Sequence, residues 1–252
     1  MELRIHGDYS PRKESLLLSS CDSAYFQAHS RPWAQSCFEN EMDCHIHIIN
    51  PTQTDKDLAK EMTDRLKPYL SISFEVSDLT TIDKRVYYSC NRFLVANHIC
   101  RGVKKVAITD IDCLIMKRFD IPNEDVGLFL RDPLPGTVGW EEYGTHVAAG
   151  IVSYSGTMGK QFMQGVNETI MENAEGSAGW RWFLDQVCIW AVYTGMLAEY
   201  KDMTVYKYKK DMLDWEFVEG TYIWTGKGDR KNSDLTYVAA KEAALERYNT
   251  KA

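Results

Sequence analysis

Short apolar runs alternate with longer amphipathic segments through the first half of the chain. Leu16–Ser20, Cys44–Ile49, Ile72–Val76 and the run Val106–Asp112 are short, apolar and bounded by turn residues. That pattern is typical of strands buried on both faces of a sheet. The sequence therefore predicts four core strands in this half.

The segments between these runs have the spacing of helices. Ser23–Asn40 predicts a first helix, kinked or begun late because Pro32 interrupts it. A second helix is predicted to start with Thr54 as its cap, and a third to span Ile82–Cys100. This alternation predicts right-handed crossovers and an α/β fold with a mainly parallel central sheet flanked by helices.

The second half is less regular, but its apolar residues still show both the spacing of strands and the spacing of helices. Its pattern predicts strands at Val126–Leu130 and Val147–Tyr154, a Pro- and Gly-rich loop at Asp132–Trp140, helices around Phe162–Ile170 and Trp182–Leu197, and a surface helix at Val238–Tyr248. No repeat, low-complexity tract or linker interrupts the chain. We therefore expect one domain over residues 1–252.

Composition narrows the class of protein. Of 252 residues, 44% are hydrophobic and 26% charged, as in soluble globular proteins, and the net charge of -7 argues against nucleic acid as a partner. No apolar run is long enough to span a membrane, and the first residues lack the apolar core of a signal peptide. The seven cysteines include no Cys-x-x-Cys pair and predict reduced thiols. A cytoplasmic location is expected.

The strongest chemical signal is the pair of carboxylates Asp110 and Asp112 at the end of an apolar strand. Open α/β sheets bind ligands at the carboxyl ends of their strands. Two carboxylates there can hold Mg²⁺ or Mn²⁺ against a diphosphate. Taken alone, Asp-x-Asp is equally consistent with a strand that ends in an acidic turn.

Six segments follow one another in the order found in one known family. They are Ser20–Tyr25, Tyr87–Leu94, Lys105–Ile115, Ala148–Val152, Trp182–Val187 and Tyr222–Lys231. Together they resemble nucleotide-sugar glycosyltransferases of the GT-A fold, closest to the glycogenin-like retaining family 8. The resemblance implies a single GT-A-like, Rossmann-type domain, with a nucleotide-binding half at about 15–116, an acceptor and diphosphate half at about 117–235, and a C-terminal helix at 236–252.

The resemblance also implies an activity. The expected reaction moves a sugar from a nucleotide-diphosphate sugar, a UDP-sugar by resemblance, to a hydroxyl of a glycan or protein acceptor. Mn²⁺ or Mg²⁺ is the expected cofactor. Retention of the anomeric configuration is implied in the same way.

On the donor side, the resemblance assigns nucleotide contacts to the first strand-to-helix turn. Ser20, Cys21, Asp22 and Tyr25 are expected to receive the uracil and ribose, although an N-cap followed by a core tyrosine explains this turn equally well. Arg92 matches the family's basic residue that faces the donor, and its guanidinium suits a diphosphate.

The metal and diphosphate contacts are implied at two further segments. Asp112 is expected to bind the metal directly. Asp110 is expected to bind the metal or hydroxyls of the ribose and sugar. Asp110 and Ile111 are also expected to contact the nucleotide. Lys227 and Lys231 are expected to hold the phosphates. The family's metal-binding His is absent from this last segment.

Ile223 or Trp224 falls near the place of that histidine. A third protein ligand for the metal is therefore missing or comes from elsewhere. At the sugar-contact position the family's polar residue is replaced by Ala148. The identity of the donor sugar is consequently left open.

Asp185 and Gln186 match the family's Asp-Gln pair beside the anomeric carbon. By resemblance they bind sugar hydroxyls or stabilise an oxocarbenium-like transition state. A carboxylate that only stabilises a helix N-terminus is the structural alternative for Asp185.

Two other functions stay open. A degenerate transferase would bind nucleotide or glycan without turnover. A haloacid-dehalogenase-type phosphatase also carries Asp-x-Asp after an apolar strand, but there the motif is near the N-terminus and Thr or Val takes the place of Leu114. His45 and His47 point to one face of their strand. We expect them to be partly buried strand residues rather than ligands of a metal.

Overall fold

The computed structural model describes residues 5–7, 13–132, 135–136, 139–175, 179, 181–226 and 228–250. A central sheet has the order β1-β4-β3-β2-β5-β8-β7-β9, and a small second sheet has the order β10-β11-β6. The central strands are β1 (Ile5–Gly7), β2 (Ser15–Asp22), β3 (Cys44–Ile49), β4 (Leu70–Glu75), β5 (Lys105–Thr109), β7 (Val126–Leu130), β8 (Val147–Ser155) and β9 (Val205–Lys207). The small sheet contains β6 (Cys113–Ile115), β10 (Leu213–Asp214) and β11 (Ile223–Thr225).

Helices cover both faces of the central sheet. They are α1 (Ser23–Glu39), α2 (Gln53–Arg65), α3 (Lys84–Ile99), α4 (Trp140–Thr145), α5 (Gly156–Glu175), α6 (Leu184–Glu199), α7 (Arg230–Ser233) and α8 (Leu235–Thr250). Strands β4, β3, β2 and β5 are parallel, whereas β8 is antiparallel to both β5 and β7. The expected α/β fold with a mainly parallel sheet is confirmed.

The apolar runs form central strands because their residues are buried on both sides. In β2, Leu16 and Leu18 pack with α3, α5 and α6, while Leu17 packs with α1 and α2 on the other face. In β5, Val106 belongs to the same core as Leu16 and Leu18, and Ala107 to the same core as Leu17. Alternate side chains thus supply two cores, and the carboxyl ends of β2 and β5 open at one edge between them.

Two local details differ from the predictions. Helix α1 spans Ser23–Glu39, close to the predicted range, and continues through Pro32, so the alternative of a late start is wrong and a kink at Pro32 stays a prediction. Helix α2 is capped by Thr52 rather than Thr54: its hydroxyl accepts from the Asp55 amide at 3.2 Å, and the Asp55 carboxylate accepts from the Thr52 amide at 2.7 Å. Both threonines have an acid three residues later, Asp55 for Thr52 and Asp57 for Thr54, so the spacing of a capping box did not distinguish them.

The pairing of the small sheet determines where the C-terminal segment runs. Strand β6 starts one residue after Asp112 and is antiparallel to β11, with Cys113 opposite Thr225. The chain that follows Thr225 therefore runs beside Asp112. Sequence periodicity predicted neither strand, since three residues are too few to show a period.

The strand histidines are more buried than expected. His45 and His47 are inaccessible to solvent and face β4. His45 Nδ1 lies 2.8 Å from Ser71 Oγ and its Nε2 lies 2.8 Å from Ser73 Oγ. His47 Nδ1 contacts Ser73 Oγ at 2.8 Å, and its Nε2 lies 3.1 Å from Glu75 Oε2. The five side chains form a polar ladder, buried except at the half-buried Ser71.

All seven cysteines are free and buried. Within the described part of the chain, every helix is too short or too polar to cross a bilayer.

Candidate active site

The site is built around the turn between β5 and β6, at the carboxyl end of β5. Asp110 follows the last residue of β5, and Asp112 precedes the first residue of β6. Gly150 lies on the neighbouring strand β8, where a Cβ would stand 3.4 Å from Asp110 Oδ2 and 3.0 Å from Leu213 Cδ2. The absence of a side chain at Gly150 therefore lets β8 approach the Asp110 carboxylate closely, as expected for a Gly in a strand.

Arg92 links two carboxylates beneath this turn. Its Nη1 donates to Asp110 Oδ1, and its Nη2 donates to Asp185 Oδ2 and to the Ala149 carbonyl, each at 3.2 Å. Arg92 and Asp185 are buried. The guanidinium that the sequence assigned to the donor is thus engaged with protein carboxylates, and its contact with a diphosphate stays a prediction.

Burial dominates the protonation of this network. It raises the pKa of Asp110 to about 6, with Asp112 and Asp185 adding to the rise and Arg92 opposing it. Burial likewise raises the pKa of Asp185 against the opposing charge of Arg92. Burial alone would lower the pKa of Arg92, but the two carboxylates raise it above its usual range. The arginine therefore stays charged between its two partners.

Lys231 joins the C-terminal segment to the second carboxylate. Its Nζ lies 2.8 Å from Asp112 Oδ2 and 2.5 Å from Tyr25 Oη, and 4.6 Å from the centre of the Tyr25 ring. Burial lowers the pKa of Lys231, but Asp112 and Tyr25 raise it above its ordinary value, so the ammonium is charged. The structure thus brings together three predicted site residues from widely separated segments.

Two residues beside this cluster were not predicted. Lys241 of α8 is half-buried: burial lowers its pKa, the charge of Asp112 raises it, and the charge of Lys231 lowers it. His29 of α1 is buried, and its ring centroid lies 5.2 Å from that of Tyr25. Burial, followed by the charge of Lys241, lowers the pKa of His29 to about 4.

The spacing of residues along the helices could have identified both His29 and Lys241 from the sequence. His29 lies four residues after Tyr25 and so shares its face of α1. Lys241 lies on the stripe of α8 that also contains the buried Tyr237, Ala244 and Tyr248. A lysine on an otherwise buried stripe is unusual and marks a charged partner nearby.

The first strand-to-helix turn combines structural and exposed groups. Asp22 caps α1, its Oδ1 accepting from the Tyr25 amide at 2.9 Å, as in the structural alternative. Tyr25 is 40% exposed and is not a core residue. Ser20 Oγ is buried without a hydrogen-bond partner among the described residues. Burial raises the pKa of the Cys21 thiol well above its ordinary value.

Ile111 and Lys227 bear differently on the predicted donor contacts. The Ile111 side chain is buried in the hydrophobic core, so only its backbone can reach a nucleotide. Lys227 lies outside the described residues.

Asp185 and Gln186 open helix α6 but have different partners. Asp185 Oδ1 accepts from the Gln186 amide at 2.9 Å, which places its carboxylate at the helix N-terminus as well as on Arg92. Gln186 is half-buried, and its Oε1 accepts from Arg131 Nη2 at 3.2 Å. Asp185 therefore belongs to the Asp110 network, while Gln186 is held beside it.

The residues present do not fit a protein-held divalent cation. Among the described residues, no group of three His, Cys, Asp or Glu side chains can hold a metal. Asp110 and Asp112 are each paired with a cationic side chain. At the place of the family's histidine, Ile223 and Trp224 are buried, and Trp224 Nε1 donates to Thr221 Oγ1 at 2.8 Å.

Comparisons with known proteins identify the fold. No protein-family model matches the chain, and no curated protein matches it. The structure of the galactosyltransferase LgtC in complex with donor and acceptor sugar analogs is 12% identical, with a TM-score of 0.63 over 94% of this chain and 100% of that one. An active-site mutant of LgtC gives 11% identity and a TM-score of 0.62 over 94% and 100% of the two chains.

The apo structure of the bifunctional glycosyltransferase WbbM is 13% identical, with a TM-score of 0.53 over 90% of this chain but only 44% of that one. At such identities the similarity shows the fold. The chain has the GT-A glycosyltransferase fold, as the sequence resemblance predicted.

Proposed function

We propose that this protein is a glycosyltransferase that moves a sugar from a nucleotide-diphosphate sugar, in our proposal a UDP-sugar, to a hydroxyl of a glycan or protein acceptor. One observation carries the proposal. Tyr25, Asp112 and Lys231 meet at the carboxyl ends of β2 and β5, where a fold shared with glycosyltransferases places its ligand crevice.

The exposed groups of this crevice suit a nucleotide. The Tyr25 ring is accessible for stacking on a base. Lys231 offers a charged donor for phosphate oxygens. The metal expected from the sequence is left out of this proposal, because the donor set does not fit one.

The Asp110–Arg92–Asp185 network supports sugar transfer. In our proposal Asp185 stabilises the positive charge that develops at the anomeric carbon, and Gln186 binds sugar hydroxyls. Arg92 holds Asp185 in a fixed orientation, so little reorganisation is needed when the charge develops. Retention of configuration stays a prediction.

Exposed aromatic rings favour a sugar as the acceptor. Trp182 is 60% exposed just before α6, and Tyr143 is 52% exposed on α4, which packs against α6. Aromatic faces of this kind stack on the apolar faces of sugars. A glycan, or a glycosylated protein, is therefore the acceptor that these rings suit.

The test is release of free nucleotide from UDP-, GDP-, dTDP- and CMP-sugars, each with EDTA, with Mg²⁺ and with Mn²⁺. We expect slow hydrolysis of one donor without an acceptor. Asp185→Asn should lower the rate by about a hundredfold, since an electrostatic contact made in the transition state is removed. Asp64→Asn, which changes an exposed aspartate paired with Lys67, is the matched control.

Release with no effect of Asp185→Asn would remove the assigned role of Asp185. Thermal stabilisation by a nucleotide, with no release from any donor, would favour the alternative of a binding-only protein. Absence of both release and stabilisation would reject the nucleotide-sugar proposal.

A further inference from the structure

The donor crevice contains two lysines close to the carboxylate of Asp112. Lys231 Nζ lies 2.8 Å from Asp112 Oδ2, and the half-buried Lys241 of α8 is within electrostatic range of the same carboxylate. Lys241 forms no ion pair with any residue that the structure describes. Lys231 is therefore paired with Asp112, whereas the ammonium of Lys241 has no carboxylate partner among the described residues.

The two carboxylates that would hold a cation are each already paired with a cationic side chain. Asp110 shares Arg92 with Asp185, and Asp112 is paired with Lys231. Mg²⁺ and Mn²⁺ prefer about six oxygen ligands and are usually held by free carboxylates together with substrate phosphates. To bind such an ion at Asp112, Lys231 would have to leave both Asp112 and Tyr25.

Lys231 is held in this position by the fold. Tyr237 Oη donates to the backbone carbonyl of Asp112. Gly226 is packed against Lys231: a Cβ placed on Gly226 would lie 2.2 Å from Lys231 Cβ and 2.8 Å from Lys231 Cα. The pairing of β6 with β11 brings these residues together. The lysine is thus a built component of the site and not a surface side chain that happens to lie nearby.

We propose that Lys231, assisted by Lys241, takes the place of the divalent cation, so that the protein binds the donor diphosphate without a metal. The inference rests on the proposed function. In the transfer, the bond between the anomeric carbon and the β-phosphate oxygen breaks, and its electron pair leaves with the nucleoside diphosphate. The acceptor oxygen bonds to the anomeric carbon, and its hydroxyl proton passes to the departing diphosphate and from there to water. Lys231 neutralises the charge that forms on the departing phosphate.

His29 fits the same arrangement. Its Nδ1 is buried and has no hydrogen-bond partner among the described residues, and its ring stands beside Tyr25 at the crevice. A neutral imidazole there adds no further positive charge next to the two lysines.

The experiment measures UDP affinity by calorimetry for the unmodified protein, first with excess EDTA and then with Mn²⁺. Equal affinities within about twofold are expected. Lys231→Met, which keeps much of the length and removes the charge, should weaken binding about tenfold or more in EDTA, as for loss of a charged hydrogen bond. Lys104→Met is the matched control, since Lys104 also pairs with a carboxylate, Glu14 at 2.7 Å, but at an exposed site.

Asp112→Asn separates the two modes of binding most sharply. If Lys231 binds the diphosphate, removing the charge of Asp112 frees the Lys231 ammonium, and UDP affinity in EDTA should not fall. If a metal binds the diphosphate, the same change should abolish metal-dependent binding.

Binding that requires Mn²⁺ and disappears in EDTA would overturn this inference and leave the proposed function in place. Unchanged affinity of Lys231→Met would overturn it as well. Absence of nucleotide binding under every condition would overturn both. The comparison of EDTA with Mn²⁺ uses the unmodified protein, so it decides the question even where a variant fails to fold.

Discussion

His45 is a residue whose protonation state depends on the fold. It lies without solvent contact between Ser71 and Ser73 of β4. Burial, with a smaller contribution from His47, lowers the pKa of His45 to about 3. The folded protein therefore keeps this imidazole neutral in a pH range where the unfolded chain, with an ordinary histidine pKa of about 6.5, is protonated.

This difference predicts a pH dependence of stability. The contribution of His45 is fully present above about pH 6.5 and is lost as the pH falls toward 3, because the unfolded state binds the additional proton. Between pH 5 and 6.5 the free energy of unfolding should fall by up to about 1.4 kcal/mol per pH unit on account of this residue. Urea unfolding of the parent and of His45→Gln across this range should show a shallower slope for the variant.

His6→Gln changes an exposed histidine and serves as the control, with the parent slope expected. Equal slopes for the parent and His45→Gln would contradict the prediction. The range stops at pH 5 because Glu75 begins to contribute below it. Burial raises the pKa of Glu75, but hydrogen bonds from His47, Tyr87 and Ser77 lower it below its ordinary value.

Single residues were predictable where their chemistry and their place on an element coincide. Tyr25, Asp112 and Lys231 were chosen from sequence, and the structure places them in contact. The partners of Arg92 were not predictable. Asp110 is 18 residues and Asp185 93 residues from it along the chain, and only the packing of α3 against α6 and β5 brings the three together.

At the scale of elements, long periodic segments were predicted well and short strands were not. The five- to nine-residue strands of the central sheet and the long helices have enough residues to show a period of 2 or 3.6. Strands β6 and β11 have three residues each, yet their pairing brings the C-terminal segment to Asp112. Whether an element could be predicted from the sequence depended on its length and not on its contribution to the site.

The segment after β11 yields a prediction about Gly226. In Gly226→Ala the new methyl group would overlap Lys231, whose Cβ would be 2.2 Å away, so Lys231 must move from Asp112. We expect UDP affinity to fall about tenfold, as for loss of a charged contact, and stability to fall by about 1–3 kcal/mol from overpacking. Calorimetry and urea unfolding measure the two effects.

Gly195→Ala is the matched control for Gly226→Ala. Gly195 lies in α6, and no heavy atom stands within 4 Å of a Cβ placed there. The alanine should leave UDP affinity unchanged and stabilise the helix by about 0.5–1 kcal/mol. Parent-like nucleotide affinity in Gly226→Ala would show that the position of Lys231 does not depend on this glycine.

For the whole molecule, the sheet argues for a single cooperative unit. Strand β5 from the predicted nucleotide-binding half pairs along its length with β8 from the other half. Helix α8 adds further links, since Arg247 donates to Glu39 of α1 at 2.6 and 3.0 Å, and Tyr248 donates to Glu61 of α2 at 3.1 Å. Neither half can unfold without breaking the central sheet.

We therefore predict one thermal unfolding transition. The calorimetric and van't Hoff enthalpies should agree, and far-ultraviolet and near-ultraviolet circular dichroism should give one midpoint. UDP should shift that midpoint upward as a whole, because it binds only the folded state. Two separate transitions, with UDP moving only one of them, would show that the halves are independent domains.

The contact between Lys231 and Tyr25 also has a consequence for the newborn chain. Those two residues are 206 positions apart. At about 5–20 residues per second, a ribosome needs about 10–40 s to add that length. During this interval β2, β3, β4 and β5 have emerged, but the crevice at their carboxyl ends lacks its lysines. A nascent chain is therefore expected to acquire affinity for its donor only after Lys231 has emerged, when most of the central sheet has had time to form.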